Sequence, residues 1–299
     1  MNITEEVKVR AARINDIIEQ YLPQEEGFQK TVLSAMNYSV RAGGKRLRPM
    51  LMEETYRCLG GQTDVIQPFM AAIEMIHTYS LVHDDLPAMD NDEYRRGRKT
   101  THAVYGEAMG ILAGDALLTY AFETAALAYT IEPENPAIGR AIALLAKKAG
   151  IYGMVGGQTV DVESEKMGET ITREKLDFIY RLKTGALMEA SMMIGAILAG
   201  CSDAQISVTE HIAAKVGLAF QIQDDILDVT GTFEELGKPI GSDVRNEKAT
   251  YVTYAGMEAS AAEVERLSKD AVGALALLGG EEDTEFLREL FIYLISRKK

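Results

Sequence analysis

Residues 205–230 read QISVTEHIAAKVGLAFQIQDDILDVT, and the spacing within this run decides the fold. Its apolar residues return every three or four positions, as Ile212, Val216 and Phe220 do, which is the period of one helical face. Near its end Gln221, Asp224 and Asp228 stand at i, i+3 and i+7, so a helix projects all three from one side. The same spacing recurs over 4–21, 26–41, 46–58, 65–85, 107–130, 136–155, 172–199, 258–278 and 284–297. No stretch sustains the strict alternation of a half-buried strand, so an all-α fold is expected. Asn135 before Pro136 reads as an N-cap, and Gly231 and the Gly279-Gly280 pair read as helix stops. With seven prolines in 299 residues and no Pro- or Ser-rich linker, residues 1–299 are expected to form one domain.

Composition narrows the class. A hydrophobic fraction of 47% with 25% charged residues is that of a globular chain able to enclose a ligand cavity. The 31 basic and 45 acidic residues give a net charge of −14, which argues against nucleic acid or anionic lipid as partner. Any anionic substrate then needs a local basic cluster. Cys58 and Cys201 have neither CxxC nor Cys/His spacing, so no zinc site or disulfide framework is suggested, and a reducing cytoplasm is expected. The stretch around Ala190 to Cys201 is apolar but too short to span a bilayer, and Met1 to Gln20 lacks a signal-peptide core, so no membrane insertion is expected.

Two aspartate clusters carry the chemistry. One is His83-Asp84-Asp85-Leu86-Pro87-Ala88-Met89-Asp90, ending an apolar helix; the other is the Phe220-to-Asp228 segment. Each precedes an irregular, charged stretch, Ala88 to His102 and Gly231 to Thr250. A solvated acidic face accounts for either cluster alone. Two together point to a hard cation, and magnesium, which keeps waters and bridges phosphate oxygens, suits such carboxylates. A straight helix would separate Asp84 from Asp90, so Pro87 is expected to end the helix and fold Asp90 back.

Positive charge concentrates in Arg41-Ala42-Gly43-Gly44-Lys45-Arg46-Leu47-Arg48-Pro49 and in Glu93 to Lys99. Gly43 and Gly44 allow close backbone approach, Lys45 supplies a point charge and Arg48 a planar fork, the parts of a diphosphate cradle. His77 lies seven residues before Asp84, on the same helical face and about 10 Å away along the axis. A helix-preceding turn with solvated cations and a core histidine are the plainer readings of these residues.

Together Gly43 to Pro49, His77 to Gly97, Lys183-Thr184-Gly185, Phe220 to Asp228 and Gly237-Lys238 resemble the trans-isoprenyl diphosphate synthase family (polyprenyl synthetases). The DDxxxxD form followed by Arg95-Arg96-Gly97 is most similar to bacterial farnesyl diphosphate synthases. The resemblance implies a helical bundle around a deep central cavity, a homodimer, and head-to-tail condensation of dimethylallyl or geranyl diphosphate with isopentenyl diphosphate. It implies Asp84, Asp90 and Asp224 as magnesium ligands, with three ions once substrate is bound, and Asp85 and Asp228 in support. Lys45, Arg48, His77 and Arg96 match the isopentenyl diphosphate site. Arg95, Lys183, Thr184, Gln221 and Lys238 match positions that hold the allylic diphosphate or face the developing cation.

Tyr79, with Ser80 beside it, matches the floor that stops products at farnesyl length. Gln158 and Asp161 match a segment near the cavity to which no role attaches, and Arg297-Lys298-Lys299 resembles a basic tail that closes over the site in some relatives. A geranylgeranyl diphosphate synthase would differ in pocket depth alone. A class I terpene cyclase would have no use for the Gly43-to-Pro49 cradle, and a non-catalytic subunit no use for intact aspartates.

Overall fold

The computed structural model describes residues 2–167, 171–230 and 250–296, apart from the side chains of 165–167. Lys238, Gly231 and the Arg297-Lys298-Lys299 tail lie outside the described residues. The chain gathers into two compact units, one of Glu5–Glu53 and Thr63–Ile142, the other of Met1–Thr4, Glu54–Gln62 and Ala143–Lys299. Each is taken by itself.

The first unit is built from most of α1 (Ile3–Gln20), α2 (Lys30–Val40), the first half of α3 (Leu47–Cys58), α4 (Gln67–Asp84), a hairpin of β1 (Tyr94–Arg95) and β2 (Arg98–Lys99), α5 (Thr101–Tyr105), α6 (Glu107–Ala126) and α7 (Ala128–Ile131). Pro68 starts α4 in the first turn, where its missing N–H costs nothing. Every residue from Pro68 to Ile76 is buried, so α4 is the unit's central helix. Its C-terminal half packs against α6 through glycines: a Cβ at Gly114 would come within 2.1 Å of His83 Nε2, and one at Gly110 within 3.0 Å of Leu86 Cδ2.

The segment Ala88 to His102 is not wholly irregular. Tyr94 pairs with Lys99 and Arg95 with Arg98, and Arg96 and Gly97 turn between them with φ of 53° and 73°. Two consecutive left-handed residues match the right-handed twist of a tight hairpin, which is why glycine takes the second position. Tyr38 of α2 donates to the Lys99 carbonyl at 2.7 Å, and Arg98 lies 4.6 Å above the Tyr38 ring, which pins the hairpin to α2.

The second unit holds α8 (Ala137–Ala149) in part, then α9 (Met154–Met167), α10 (Arg173–Ile179), a π-helical turn (Tyr180–Gly185), α11 (Ala186–Leu198), α12 (Asp203–Thr230), α13 (Tyr251–Ala255), α14 (Met257–Ala274) and α15 (Glu281–Ser296). All thirteen residues of α11 are buried, Glu189 among them. Its carboxylate meets the ammonium of Lys148, which also donates to Glu210 at 2.8 Å, so the buried acid has a counter-charge. The run 136–155 proves to be two helices. Asn135 Oδ1 accepts from the Ala137 amide at 2.9 Å as the expected cap, but the chain breaks at Gly150–Gly153. There a Cβ at Gly153 would sit 1.9 Å from the Lys148 carbonyl oxygen.

Among the described residues, the helical stretch long and apolar enough to cross a membrane is Glu107–Ile131, not Ala190–Cys201. Cys58 and Cys201 are both free thiols, and burial pushes the Cys58 thiol up to about 11.

Candidate active site

The loop between α2 and α3 runs through three positive φ values, 80° at Gly43, 141° at Gly44 and 50° at Arg46. What holds the costly conformation at Arg46 is burial: its guanidinium donates to Glu74 at 2.6 Å, to Asn15 Oδ1 at 2.7 Å and to the Val40 carbonyl at 2.7 Å. Removing one partner of so buried a pair costs about 3–5 kcal/mol. Arg46, counted in the sequence as part of a cationic run, is thus the anchor of the loop.

Arg48, in the first turn of α3, is different. Its Nε is sealed from solvent with no hydrogen-bond partner among the described residues, and burial first, then Arg96, pulls its pKa down. Arg96 reaches from the hairpin to the Gly43 carbonyl. Gly44 leaves the room for this, because a Cβ there would lie 2.6 Å from Arg96 Nη1. His77, half-buried on α4, is held well below the usual imidazole value by burial and then by Arg48, Arg96, Arg46 and Arg95. Lys45 is exposed on the same loop. A neutral histidine among guanidinium groups, one with an unmatched donor, is an arrangement able to accept an anion.

The first aspartate cluster follows on α4. The helix ends at Asp84, and the Asp90 amide donates to the Asp84 carbonyl at 2.9 Å, the fold-back expected of Pro87. Asp84 is half-buried and Asp90 exposed. Asp85 is buried against Arg95 at 2.7 Å; burial raises its pKa against the pull of that guanidinium. The ring of Tyr79 is buried, edge-on to His83 at 5.7 Å, and burial followed by the charge of Asp84 lifts its phenol to about 12. Ser80 donates to the His77 carbonyl at 2.8 Å.

In the second unit, α12 presents Gln221 and Asp224 half-buried, with Asp225 and Asp228 buried. Lys183 and Thr184 lie in the π-helical turn. Lys183 Nζ meets Asp161 Oδ2 at 2.6 Å, and Thr184 Oγ1 donates to Gln221 Oε1 at 2.9 Å. Glycines again permit the approach: a Cβ at Gly157 would come within 2.2 Å of the Lys183 amide nitrogen, and one at Gly217 within 3.1 Å of Gly185 Cα. The helical period over 172–199 concealed the π turn, and Asp161, left without a role in the sequence, is the counter-ion of Lys183.

Among the described residues no three His, Cys, Asp or Glu side chains converge on a ready-made metal cage. The donors of both clusters are carboxylates, without thiolate or imidazole among the ligands expected, and such a set fits Mg2+, whose shell is completed by water and phosphate oxygens.

The family model of the polyprenyl synthetases matches residues 29–275. The chain is 50% identical to the farnesyl diphosphate synthase of Geobacillus stearothermophilus over 241 residues, 80% of this chain and 79% of that one. It is 45% identical to the geranylgeranyl diphosphate synthase of Cyanophora paradoxa, over 86% of this chain and 85% of that one. Among solved structures, an FPP/GFPP synthase from Zymomonas mobilis superposes with a TM-score of 0.87 at 31% identity, covering 99% of each chain. With its cationic loop, two aspartate clusters and largely helical build accounted for, the chain belongs to the polyprenyl synthetase family.

Proposed function

We infer that this chain is a prenyltransferase that condenses an allylic diphosphate, dimethylallyl or geranyl, with isopentenyl diphosphate in 1′–4 fashion, giving (2E,6E)-farnesyl diphosphate and diphosphate. The observation that carries the reading is the unmatched Arg48 Nε beside neutral His77 and Arg96, donors that a bound anion would satisfy. There Arg48, Arg96 and Lys45 bind the isopentenyl diphosphate, and uncharged His77 donates one hydrogen bond without adding to the cationic load. Lys183, with Arg95, holds the allylic diphosphate as its carbon–oxygen bond breaks, and Thr184 and Gln221 turn their oxygens to the cation that forms.

Asp84, Asp90 and Asp224 would hold Mg2+, which would supply positive charge against the departing diphosphate. Tyr79 sets the floor that stops growth at fifteen carbons. A buried aromatic at that place and the Geobacillus relative favour the farnesyl product over the geranylgeranyl one. The apolar α6 keeps Ile111 and Leu112 more than two-fifths exposed, which supports a homodimer that covers this face. The setting is the cytoplasm.

Incubation of the purified protein with Mg2+, labelled isopentenyl diphosphate and each starter tests the reading. Labelled farnesyl diphosphate is the expected product. Diphosphate release without consumption of isopentenyl diphosphate would refute the condensation, and a twenty-carbon product would refute the chain length.

A further inference from the structure

We propose that Tyr180 and Asp225 are positioning residues for the allylic half of the reaction, fixing the π-helical turn that carries Lys183 and Thr184. This rests on the assignment of Lys183 and Thr184 to the allylic diphosphate. A π turn is a poorly hydrogen-bonded form that persists where its surroundings over-determine it. Here the surroundings are specific. Tyr180 opens the turn, and its hydroxyl donates to Asp225 Oδ2. The Tyr251 amide donates to the same oxygen at 2.8 Å and lies 3.1 Å from the Tyr180 hydroxyl, which closes a triangle of hydroxyl, carboxylate and amide. Asp225 is only 3% exposed, so these partners replace the water its charge would otherwise hold.

The other end of the turn is tied to the same helix. Thr184 donates to Gln221, and the Gln221 amide faces Asp225 Oδ1 at 3.5 Å. Tyr180 and Thr184 are four residues apart, as are Gln221 and Asp225, so one turn of α12 grips both ends of the π turn. Asp161 holds Lys183 from α9, on another side. In the Asp224-Asp225 pair the second carboxylate is therefore an internal strut and not a metal ligand.

The test compares Tyr180→Phe, Asp225→Asn, Asp225→Ala and Lys183→Ala with the parent enzyme. The readings are kcat, KM for each substrate, the Mg2+ concentration giving half-maximal rate, and the melting temperature. Tyr180→Phe is expected to lower kcat about tenfold or more and to raise the allylic KM, because a small misplacement of reacting groups is costly. The isopentenyl diphosphate KM and the Mg2+ half-activation point stay unchanged. Asp225→Asn, which keeps an acceptor oxygen, recovers activity that Asp225→Ala loses.

Parent-like kcat and allylic KM in folded Tyr180→Phe would overturn the proposal, as would a several-fold shift of Mg2+ half-activation in Asp225→Asn. If Lys183→Ala is also parent-like, the allylic assignment fails with it. An inactive Lys183→Ala beside a parent-like Tyr180→Phe sinks the positioning role alone.

Discussion

Gly44→Ala isolates the role of a residue with no side chain. A Cβ at this position would stand 2.6 Å from Arg96 Nη1 and 3.0 Å from both Cζ and Nη2. Ordinary contact needs roughly 3.5 Å, so the guanidinium must withdraw by about 1 Å and give up its bond to the Gly43 carbonyl. Arg96 is the flexible partner, so the steric cost falls on its placement and not on the backbone. The φ of 141° adds a penalty of about 1–2 kcal/mol in stability.

A charge-assisted hydrogen bond to a diphosphate oxygen is worth about 1.5–3 kcal/mol, so its loss raises the isopentenyl diphosphate KM about tenfold or more. Because the contact is made before the chemistry, kcat at saturation changes little. Initial rates at saturating geranyl diphosphate measure both, for Gly44→Ala, Arg96→Ala and the double variant. If glycine serves Arg96, the double variant has the KM of Arg96→Ala alone, a non-additive cycle. Additive effects, or a lowered melting temperature with an unchanged KM, would refute the reasoning.

Asp84→Ala and Asp224→Ala are each expected to cut Mg2+-supported turnover about 100-fold or more while circular dichroism stays unchanged; parent-like rates in either would remove that residue from the metal set. Tyr79→Ala opens the floor, so chromatography of the products should show chains of about twenty carbons or longer, at a stability cost of about 3–5 kcal/mol for the lost aromatic, and an unchanged product profile would place the floor elsewhere. His77 should stay neutral by NMR to well below pH 6.5, and inorganic diphosphate should raise its pKa by neutralising Arg48 and Arg96. The unfolded chain takes up a proton near pH 6.5 that the native site refuses, so stability falls as pH drops through that value, by up to about 1.4 kcal/mol per pH unit. His77→Gln should flatten that part of the pH profile.

Much of this site could be read from the sequence because its logic is local. The fold-back at Pro87 follows from the stereochemistry of one residue, and the left-handed course of the α2–α3 loop from Gly43 and Gly44. What stayed hidden depends on partners far along the chain. Nothing in the Arg46-Leu47-Arg48 run says that Arg46 is spent on Glu74 and Asn15 whereas Arg48 keeps an unmatched donor. The hairpin escaped because its strands are two residues each, too short for alternation to register, although Gly97 marked the turn. Helix α9 escaped because the Gly156-Gly157 pair in its first turn is a poor helix former alone; it forms against the π turn, where Gly157 is the residue small enough to fit.

The π turn at Tyr180–Gly185 also changes how the chain can be compared with itself. A wider turn takes up one residue more than an α turn, so the angular phase of α10 is offset by about 100° from that of α11. A heptad frame laid across both helices drifts out of step at Gly185, and the buried face of α10, Leu176 and Ile179, is set apart in phase from the wholly buried α11. Deleting a single residue between Tyr180 and Gly185 would restore a seamless spiral, and in doing so would swing the whole of α10 to face a different neighbour.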